Sequence, residues 1–479
     1  MSPHLSQLHD TLTRHFNAQV AEQALPLAGA WLTGSTAIPR SELGEIQAAL
    51  DAGCLVQSHG FVYLARGYAQ EQALAQALAV RAQPRALSPQ QNQALDQLAQ
   101  AAPFQLNTQQ RAAIDLAVTG DFGLLLGGPG TGKSTVIQLM AQAYLQLENP
   151  QGEIGLAAPT GKAASRLNGL IPNTQPMTLA RMERELRQGR VLDLLIVDEA
   201  SMIDLENARR LLSLLPPTTR LVWIGDPQQL DSVEPGSILA ELARCTRLAP
   251  RRRTLTQTYR FSADTPLGRL AQGIKQGDAA AAQRQLDGLA CSPGTLLEEA
   301  IEHYATLHHP DPATHLAALE DYQLLCATRV GYWGSEQVNE RIAQALNRRG
   351  LIPAEPGDGW VVMVTRNQPT LGLANGDVGV IHNDHLICDA GPIPLHLIQQ
   401  YQTAWAISVH KSQGSEYRRV GLMLGEDGES VGLSRALLYT GVTRAKATVR
   451  LGCTPQAVLQ ALHRVPKRTS GLAEQIDQA

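Results

Sequence analysis

The stretch GGPGTGKST, residues 127–135, decides the fold. It follows the apolar run FGLLL (122–126) and leads into TVIQLMAQAYLQL (135–147), whose apolar residues recur at helical spacing. Strand, glycine loop and helix in that order fit the pattern G-x-x-x-x-G-K-[ST]. Gly127, Gly128, Gly130 and Gly132, with Pro129 and Thr131 among them, let the backbone curl so that its N–H groups converge on a polyphosphate. The positive end of the following helix, opened by Thr135, adds to that attraction. Lys133 can reach the terminal phosphates, and the Ser134 hydroxyl can ligate a nucleotide-bound magnesium ion. A ligand-free glycine turn is the bland alternative. The loop therefore predicts that a triphosphate binds, and leaves open what its hydrolysis drives.

The strands around this loop narrow the chemistry. The buried-type strand LLIV (194–197) ends in Asp198 and Glu199. Carboxylates closing an apolar strand are expensive to place for structural reasons alone. Beside a P-loop, Asp198 would hold the magnesium ion and Glu199 would orient or deprotonate the attacking water. A third strand, LVWIG (221–225), runs into GDPQQL, where Asp226 and Gln229 would face the same crevice and an amide could sense the γ-phosphate. Arg260, in TLTQTYRF (254–261), is placed to neutralise charge developing during phosphoryl transfer. Upstream, LNTQQRAAIDLA (106–117) offers a glutamine amide that donates and accepts at once, as adenine recognition requires; Gln110 is preferred over Gln109. The strand of IGLAAPTGKAASRL (154–167) delivers Pro159, Thr160, Gly161 and Lys162 to a strand-to-helix edge, where a nucleic-acid phosphate could be met.

Composition bounds the rest. The 479 residues suffice for several domains, and aromatics make up only 4%. Lys+Arg 40 against Asp+Glu 44 gives a net charge of −4, so a nucleic-acid surface, if present, must be local. The six cysteines are scattered without a C-x-x-C pair, which argues against a disulfide framework or zinc site and for a reducing cytoplasm. The first residues, MSPHLSQLHDTLTRHF, carry no signal-peptide pattern, and no apolar run approaches a membrane span.

In order, residues 1–83 are expected to form a mostly helical module with one extended patch at GFVYLA (60–65), serving either to dock another subunit or only to pack. Residues 84–102 are expected as a Pro/Gln-rich linker, 103–260 as the P-loop domain, and 261–320 as a helical connection. Within that connection HYATLHH (303–309) is read as a solvated histidine face. Residues 321–455 predict a second α/β domain, and 456–479 a polar tail. The fold class is thus α/β, with two P-loop-type parallel-sheet domains and a small helical N-terminal one.

The ordered set LNTQQRAA, GGPGTGKST, APTGKAA, VDEAS, GDPQQL, TYRF, VHKSQGSEY (409–417) and YTGVTRA (439–445) resembles the motif series of superfamily 1 DNA helicases. VHKSQGSEY looks like the version of the 5′-to-3′ branch. PTGKAASRL, VDEASMIDL, ATRVGYWGSEQVNERI (327–342), LANGDVGV (373–380) and the closing RTSGL (468–472) are similar to the RecD-like family, the alpha subunits of exodeoxyribonuclease V, over about residues 103–472. The resemblance implies two RecA-like domains and an ATP- and magnesium-dependent motor on single-stranded DNA, with RecB-like and RecC-like partner subunits. It assigns adenine recognition to Gln110 and the ATP and magnesium chemistry to Lys133, Ser134, Asp198 and Glu199. Gln229, Arg260 and Arg444 would meet the γ-phosphate, Thr160 and His410 would touch DNA, and Glu416 would approach the ribose.

The departures from the pattern bear on unwinding. Ala180, in TLARM (178–182), stands where such helicases often carry a histidine. The short span from NGDVGV to AWAIS predicts a trimmed β-barrel insertion, and the short span from PTGKAA to VDEAS leaves little room for a strand-separating hairpin. A stand-alone helicase of the same branch, or an ATP-switched DNA- or partner-binding subunit, are the alternatives to a motor subunit. No separate carboxylate cluster with metal-site spacing follows YTGVTRA, so any cutting of DNA is expected from a partner.

Overall fold

The computed structural model describes residues 3–260, 264–309, 311–425, 433–465 and 468–479. Its centre is a six-stranded, all-parallel sheet. Across it run Met177–Thr178, Ile154–Ala158, Leu194–Val197, Arg220–Gly225, Phe122–Gly127 and Arg252–Leu255. Successive side chains of a strand point to opposite faces, and here each face has its own core. Leu124, Leu195, Val197, Leu221 and Trp223 enter one, while Leu125, Leu194, Ile196, Val222 and Ile224 enter the other. That two-sided burial is why these strands read as unbroken apolar runs.

The second parallel sheet has five strands: Ala290–Cys291, Ala445–Cys453, Tyr417–Gly425, Tyr322–Cys326 and Ala406–Ser408. These two sheets are the RecA-like pair that the resemblance implies. The helices Pro266–Gln276, Ala279–Leu289 and Pro293–Leu307, expected as a connection, place Leu267, Leu270, Ile274 and Leu296 in the core of this second unit.

The short span between NGDVGV and AWAIS contributes to an antiparallel sheet. Val361–Val364, upstream of that span, joins Val378–His382, His385–Cys388, Gly391–Pro394 and Tyr401–Thr403 in a five-stranded antiparallel sheet. It fits a short span because its connections are tight. Asn383 and Asp384 turn the chain between His382 and His385 with φ of 48° and 59°, the left-handed pair of a two-residue hairpin.

Three other stretches differ from expectation. The linker holds a helix, Pro89–Gln100, opened by a reciprocal Ser88–Gln91 capping box, and its Leu95 and Leu98 pack into the first unit's core. Its apolar pair was masked by the surrounding glutamines. The tail is no tail: beyond Pro466 and Lys467, which lie outside the described residues, the helix Leu472–Gln478 buries Leu472, Ala473 and Ile476 in the first unit. HYATLHH is not a solvated face, since the His303 ring meets the Tyr322 ring edge to face at 4.4 Å and His308 lies 5.4 Å from the buried His315.

The N-terminal module carries three antiparallel strands, Ala37–Pro39, Leu55–Ser58 and Phe61–Leu64, beside its helices. Of SELGEIQAALDAG only Gln47–Asp51 is α-helical. The helix Ala65–Arg81 joins this module to the first unit, and the C-terminal segment closes the joint. Ser470 donates to Glu71 (2.8 Å), Thr469 accepts from the Thr36 and Ala37 N–H groups, and Arg468 donates to the Ser232 carbonyl (2.6 Å).

Candidate functional site

A cavity of about 680 Å³ lies between the two parallel units. Around it the fold gathers Gln110, Pro129, Gly130, Gly132, Lys133, Ser134, Thr135, Asp198, Glu199, Gln229, Arg260, Glu416 and Arg444. Gly127 ends its strand, and Gly128 and Thr131 line a separate cavity on the other side of the loop. Pro159, Thr160, Gly161, Lys162 and His410 lie outside the central cavity.

The loop's geometry explains its glycines. Gly130 (φ 73°) and Gly132 (φ 85°) hold left-handed conformations, and added β-carbons would collide with Arg260 and with the Gln110 amide. Lys133 leads the helix Lys133–Leu147, and its Nζ donates back to the carbonyls of Gly127 (2.8 Å) and Gly128 (3.0 Å). Gln110 is buried and does double duty in its helix cap. Its Oε1 accepts from the Asn107 N–H, and its Nε2 donates to the Thr131 carbonyl at 3.2 Å. One N–H and one lone pair of the amide remain for a base edge. Gln109 is committed elsewhere, accepting from the Thr256 N–H.

The carboxylates stand at the mouth of their strand. Burial is the largest influence on Asp198, followed by the neighbouring Glu199, and together they push its carboxyl up to about 6 against the pull of Lys133. Its Oδ1 is shut off from water and has no hydrogen-bond partner. Glu199 sits in the left-handed region at φ 52°, a conformation costing on the order of 1–3 kcal/mol for a non-glycine residue, as often found at working sites.

The rest of the lining is arginine-rich, with Arg444 and Glu416 from the second unit and Arg260 and Arg166 from the first. Arg444 lies one residue past the end of helix Arg435–Val442 and its cap, Thr443, and is fully buried. It donates to the carbonyls of Thr440 and Ser415 and, across the cleft, to the Gln229 side chain at 3.1 Å. Arg260 donates to the Thr443 carbonyl and pairs with Glu416, which Arg166 also holds. Burial alone would raise the Glu416 carboxyl, yet Arg260, Arg166 and Arg444 outweigh it and keep it below the usual carboxylate range. Glu416 therefore meets arginines here rather than an open ribose site.

Sequence reasoning missed several groups around this cavity. Phe104 and Tyr259 expose aromatic rings at its edge near Gln110, and Arg166 and Lys446 bring further positive charge. Tyr259 stood beside Arg260 in TYRF, and Arg166 stood next to last in PTGKAASRL, so both were legible as motif neighbours. Nothing in the local sequence marks Phe104.

Of the residues expected to meet nucleic acid, Pro159, Thr160, Gly161 and Lys162 are half-buried at a second junction of the units. Thr160 caps the short helix Gly161–Ser165 by accepting from the Ala163 N–H (3.2 Å). A β-carbon on Gly161 would strike Ala374, in the loop before strand Val378–His382, and Lys162 sits 5.5 Å over the Tyr417 ring. His410 and Lys411 are exposed at the end of strand Ala406–Ser408.

Comparison with known proteins adds an independent line. Residues 105–290 match the AAA domain family, and residues 403–451 the UvrD-like helicase C-terminal domain. The chain is 34% identical to the RecBCD enzyme subunit RecD of Mycolicibacterium smegmatis over 77% of its length and 74% of that protein. It is 31% identical to the ATP-dependent RecD2 DNA helicase of Deinococcus radiodurans, over 71% of this chain and 48% of that one. The solved structure of Bacteroides Pif1 bound to single-stranded DNA aligns with TM-score 0.48 at 17% identity, over 76% of this chain and 95% of that one.

Proposed function

This chain belongs to the RecD family of helicase subunits, and on that premise we propose that it is an ATP-dependent DNA helicase, a motor that moves 5′ to 3′ on single-stranded DNA. It would work in the cytoplasm with RecB-like and RecC-like subunits in a RecBCD-type complex for break repair and recombination. One observation carries the motor reading: Gln229 of the first unit and Arg444 of the second are bonded directly across the nucleotide cavity. A nucleotide in that cavity touches both units, so its arrival and hydrolysis bias how they sit.

The roles follow from the geometry. A triphosphate entering the cradle draws Lys133 off the Gly127 and Gly128 carbonyls, while Gln110 offers its remaining N–H and lone pair to adenine. Magnesium suits the donor set, because Asp198 presents a buried oxygen without a partner and the exposed Ser134 hydroxyl lines the same cavity. Those two residues would hold the ion, which supplies positive charge against the phosphates. Glu199, poised by its strained backbone, orients the attacking water. Arg260 and Arg444 neutralise charge as it develops on the transferred phosphoryl group. Thr160, Lys162 and His410, on different units, are the strand grips that would convert opening and closing into steps.

The test is strand displacement on duplexes with a 5′ or a 3′ single-stranded tail, with and without partner subunits. The 5′-tailed substrate should be displaced and the 3′-tailed one spared. Equal displacement of both overturns the polarity. ATP turnover should also rise with the length of single-stranded DNA; a length-independent rate would favour an ATP-driven switch instead.

A further inference from the structure

The carboxyl edge of the second parallel sheet holds an aromatic feature that the nucleotide cleft does not use. Strands Tyr322–Cys326 and Ala406–Ser408 pair in parallel with Cys326 opposite Ser408, and the Val409 N–H donates to the Cys326 carbonyl. The loops that follow, 327–334 and 409–416, therefore leave this edge side by side. The second bears the exposed His410 and Lys411. The first bears Val330 and Tyr332, which are 63% and 65% exposed.

Tyr332 is exposed but held. The Arg341 guanidinium, from helix Ser335–Arg348, lies 4.3 Å over its ring and 4.6 Å over that of Trp333, and also donates to the Tyr332 carbonyl. The Tyr332 and Trp333 rings meet edge to face at 4.9 Å. Trp333 is half-buried against Gly425, at the end of the adjoining strand. The loop itself is tight. Ser335 and Glu336 N–H groups donate to Thr328 and Arg329 carbonyls, and a β-carbon on Gly334 would lie 2.6 Å from the Arg329 carbonyl oxygen. A large ring fixed in water by a cation and a rigid turn does nothing for the core. The surrounding charge is mostly positive: Arg341, the exposed Arg329 with Glu336 3.4 Å away, and Lys411 on the next loop.

We propose that Tyr332, pinned by Arg341, is a stacking platform for one base of single-stranded DNA, extending the strand's path from His410 along the edge of the second unit. This rests on the DNA-motor reading above. Sequence-tolerant binding of single strands combines cationic side chains for the backbone with aromatic faces for the bases, because every base has a π-face. Arg341 covers part of the ring and leaves the rest open to the solvent side, where a base can stack. The ring is already ordered, so stacking costs little further side-chain entropy.

The test measures affinity of the full, nucleotide-free chain for an oligo-dT strand and for an abasic strand of the same length, by fluorescence anisotropy. Tyr332→Ala should weaken dT binding by about 5- to 150-fold, the range for losing one stacked base. It should leave abasic binding and the thermal midpoint unchanged, and Tyr332→Trp should restore dT affinity. Unchanged dT affinity in Tyr332→Ala, or equal loss on both strands, overturns the platform while leaving the motor reading intact. Loss of binding to a partner subunit with dT affinity intact overturns it too and reassigns the patch to protein docking. A wild-type chain that binds neither strand overturns the DNA reading and the platform with it.

Discussion

The two walls of the nucleotide cavity are built on opposite plans. The cradle wall is preformed but incomplete: Asp198 Oδ1 has no partner, Glu199 is strained, and Lys133 rests on carbonyls of its own loop. The arginine wall is complete without any ligand. Arg444 is buried in carbonyl and amide bonds, and Arg260 and Arg166 share the Glu416 carboxylate, with Lys446 Nζ 3.8 Å from its other oxygen. A ligand can join the first wall largely by filling vacant valences, with Lys133 giving up its bonds to the Gly127 and Gly128 carbonyls. It can join the second only by displacing bonds that already exist. On the proposed reading, binding and closure are thereby separated, so that the nucleotide is held before the units tighten on it.

Removing charge from the cradle gives the sharpest test of this contrast. Lys133→Ala should cut DNA-stimulated ATP turnover by roughly 1000-fold or more, because the cation acts on charge that builds in the transition state. Nucleotide-free DNA binding, measured in the same preparation, should persist. Near-normal turnover would show that the cradle is not the hydrolytic site. Next in size is Arg444→Ala, which should lower kcat by about 1000-fold while the KM for ATP stays within a few-fold. Equal losses in binding and turnover would make the arginine wall a ground-state ligand and erase the distinction between the walls.

The cradle wall also makes a prediction about stability. The Asp198 carboxyl is raised to about 6 by burial, so above that pH the folded chain carries a poorly solvated charge that the unfolded chain does not. For an acid with a raised pKa the unfolded state releases its proton first, and stability falls as pH rises from about 4 to 6. Asp198→Asn should therefore abolish turnover yet raise the stability of the first unit by up to about 2 kcal/mol at pH 8. The gain should fade below pH 6, where the wild-type side chain is itself neutral. Thermal melts at pH 5 and pH 8 decide the matter, and a destabilised Asn variant at pH 8 would show that Asp198 is better satisfied than its orphaned oxygen implies.

How much of this was legible depends on the range of the interactions. The cradle could be read directly because its parts are consecutive or close one strand each: Gly127 to Thr135 in one loop, Asp198 and Glu199 at one strand end. Unbroken apolar strands announced two-sided burial, and the two cores on the first sheet's faces deliver it. The arginine wall was legible only as a set of residues. That Glu416 would meet Arg260 and Arg166 depends on contacts 156 and 250 residues apart, which no local pattern encodes. The same limit hid the C-terminal closure. RTSGL and the helix after it look polar, yet Ser470 reaches Glu71 and Ile476 reaches the first core because the chain returns to its own beginning. The five-stranded sheet of the second unit was hidden for a different reason: a short span predicts a trimmed insertion, and a two-residue turn lets a short span still hold paired strands.

The smallest effect is also the most discriminating. If Glu416 occupies Arg260 until nucleotide arrives, ATP must compete with an internal carboxylate for its own arginine. Glu416→Gln keeps the shape and removes the charge, so it should release Arg260 and tighten binding of a non-hydrolysable ATP analogue by about 3- to 10-fold at low salt. Raising the salt should narrow the gap between variant and wild type, since screening weakens the competing pair. The arginines hold the carboxyl below its usual range, so it stays ionised, and the gap should be flat from pH 6 to 9. Weaker binding in Glu416→Gln would point the other way, to a carboxylate that leaves its arginines and serves the ribose as the family resemblance implies. The arginine wall would then be incomplete in the same sense as the cradle, and closure would begin on both sides of the nucleotide at once.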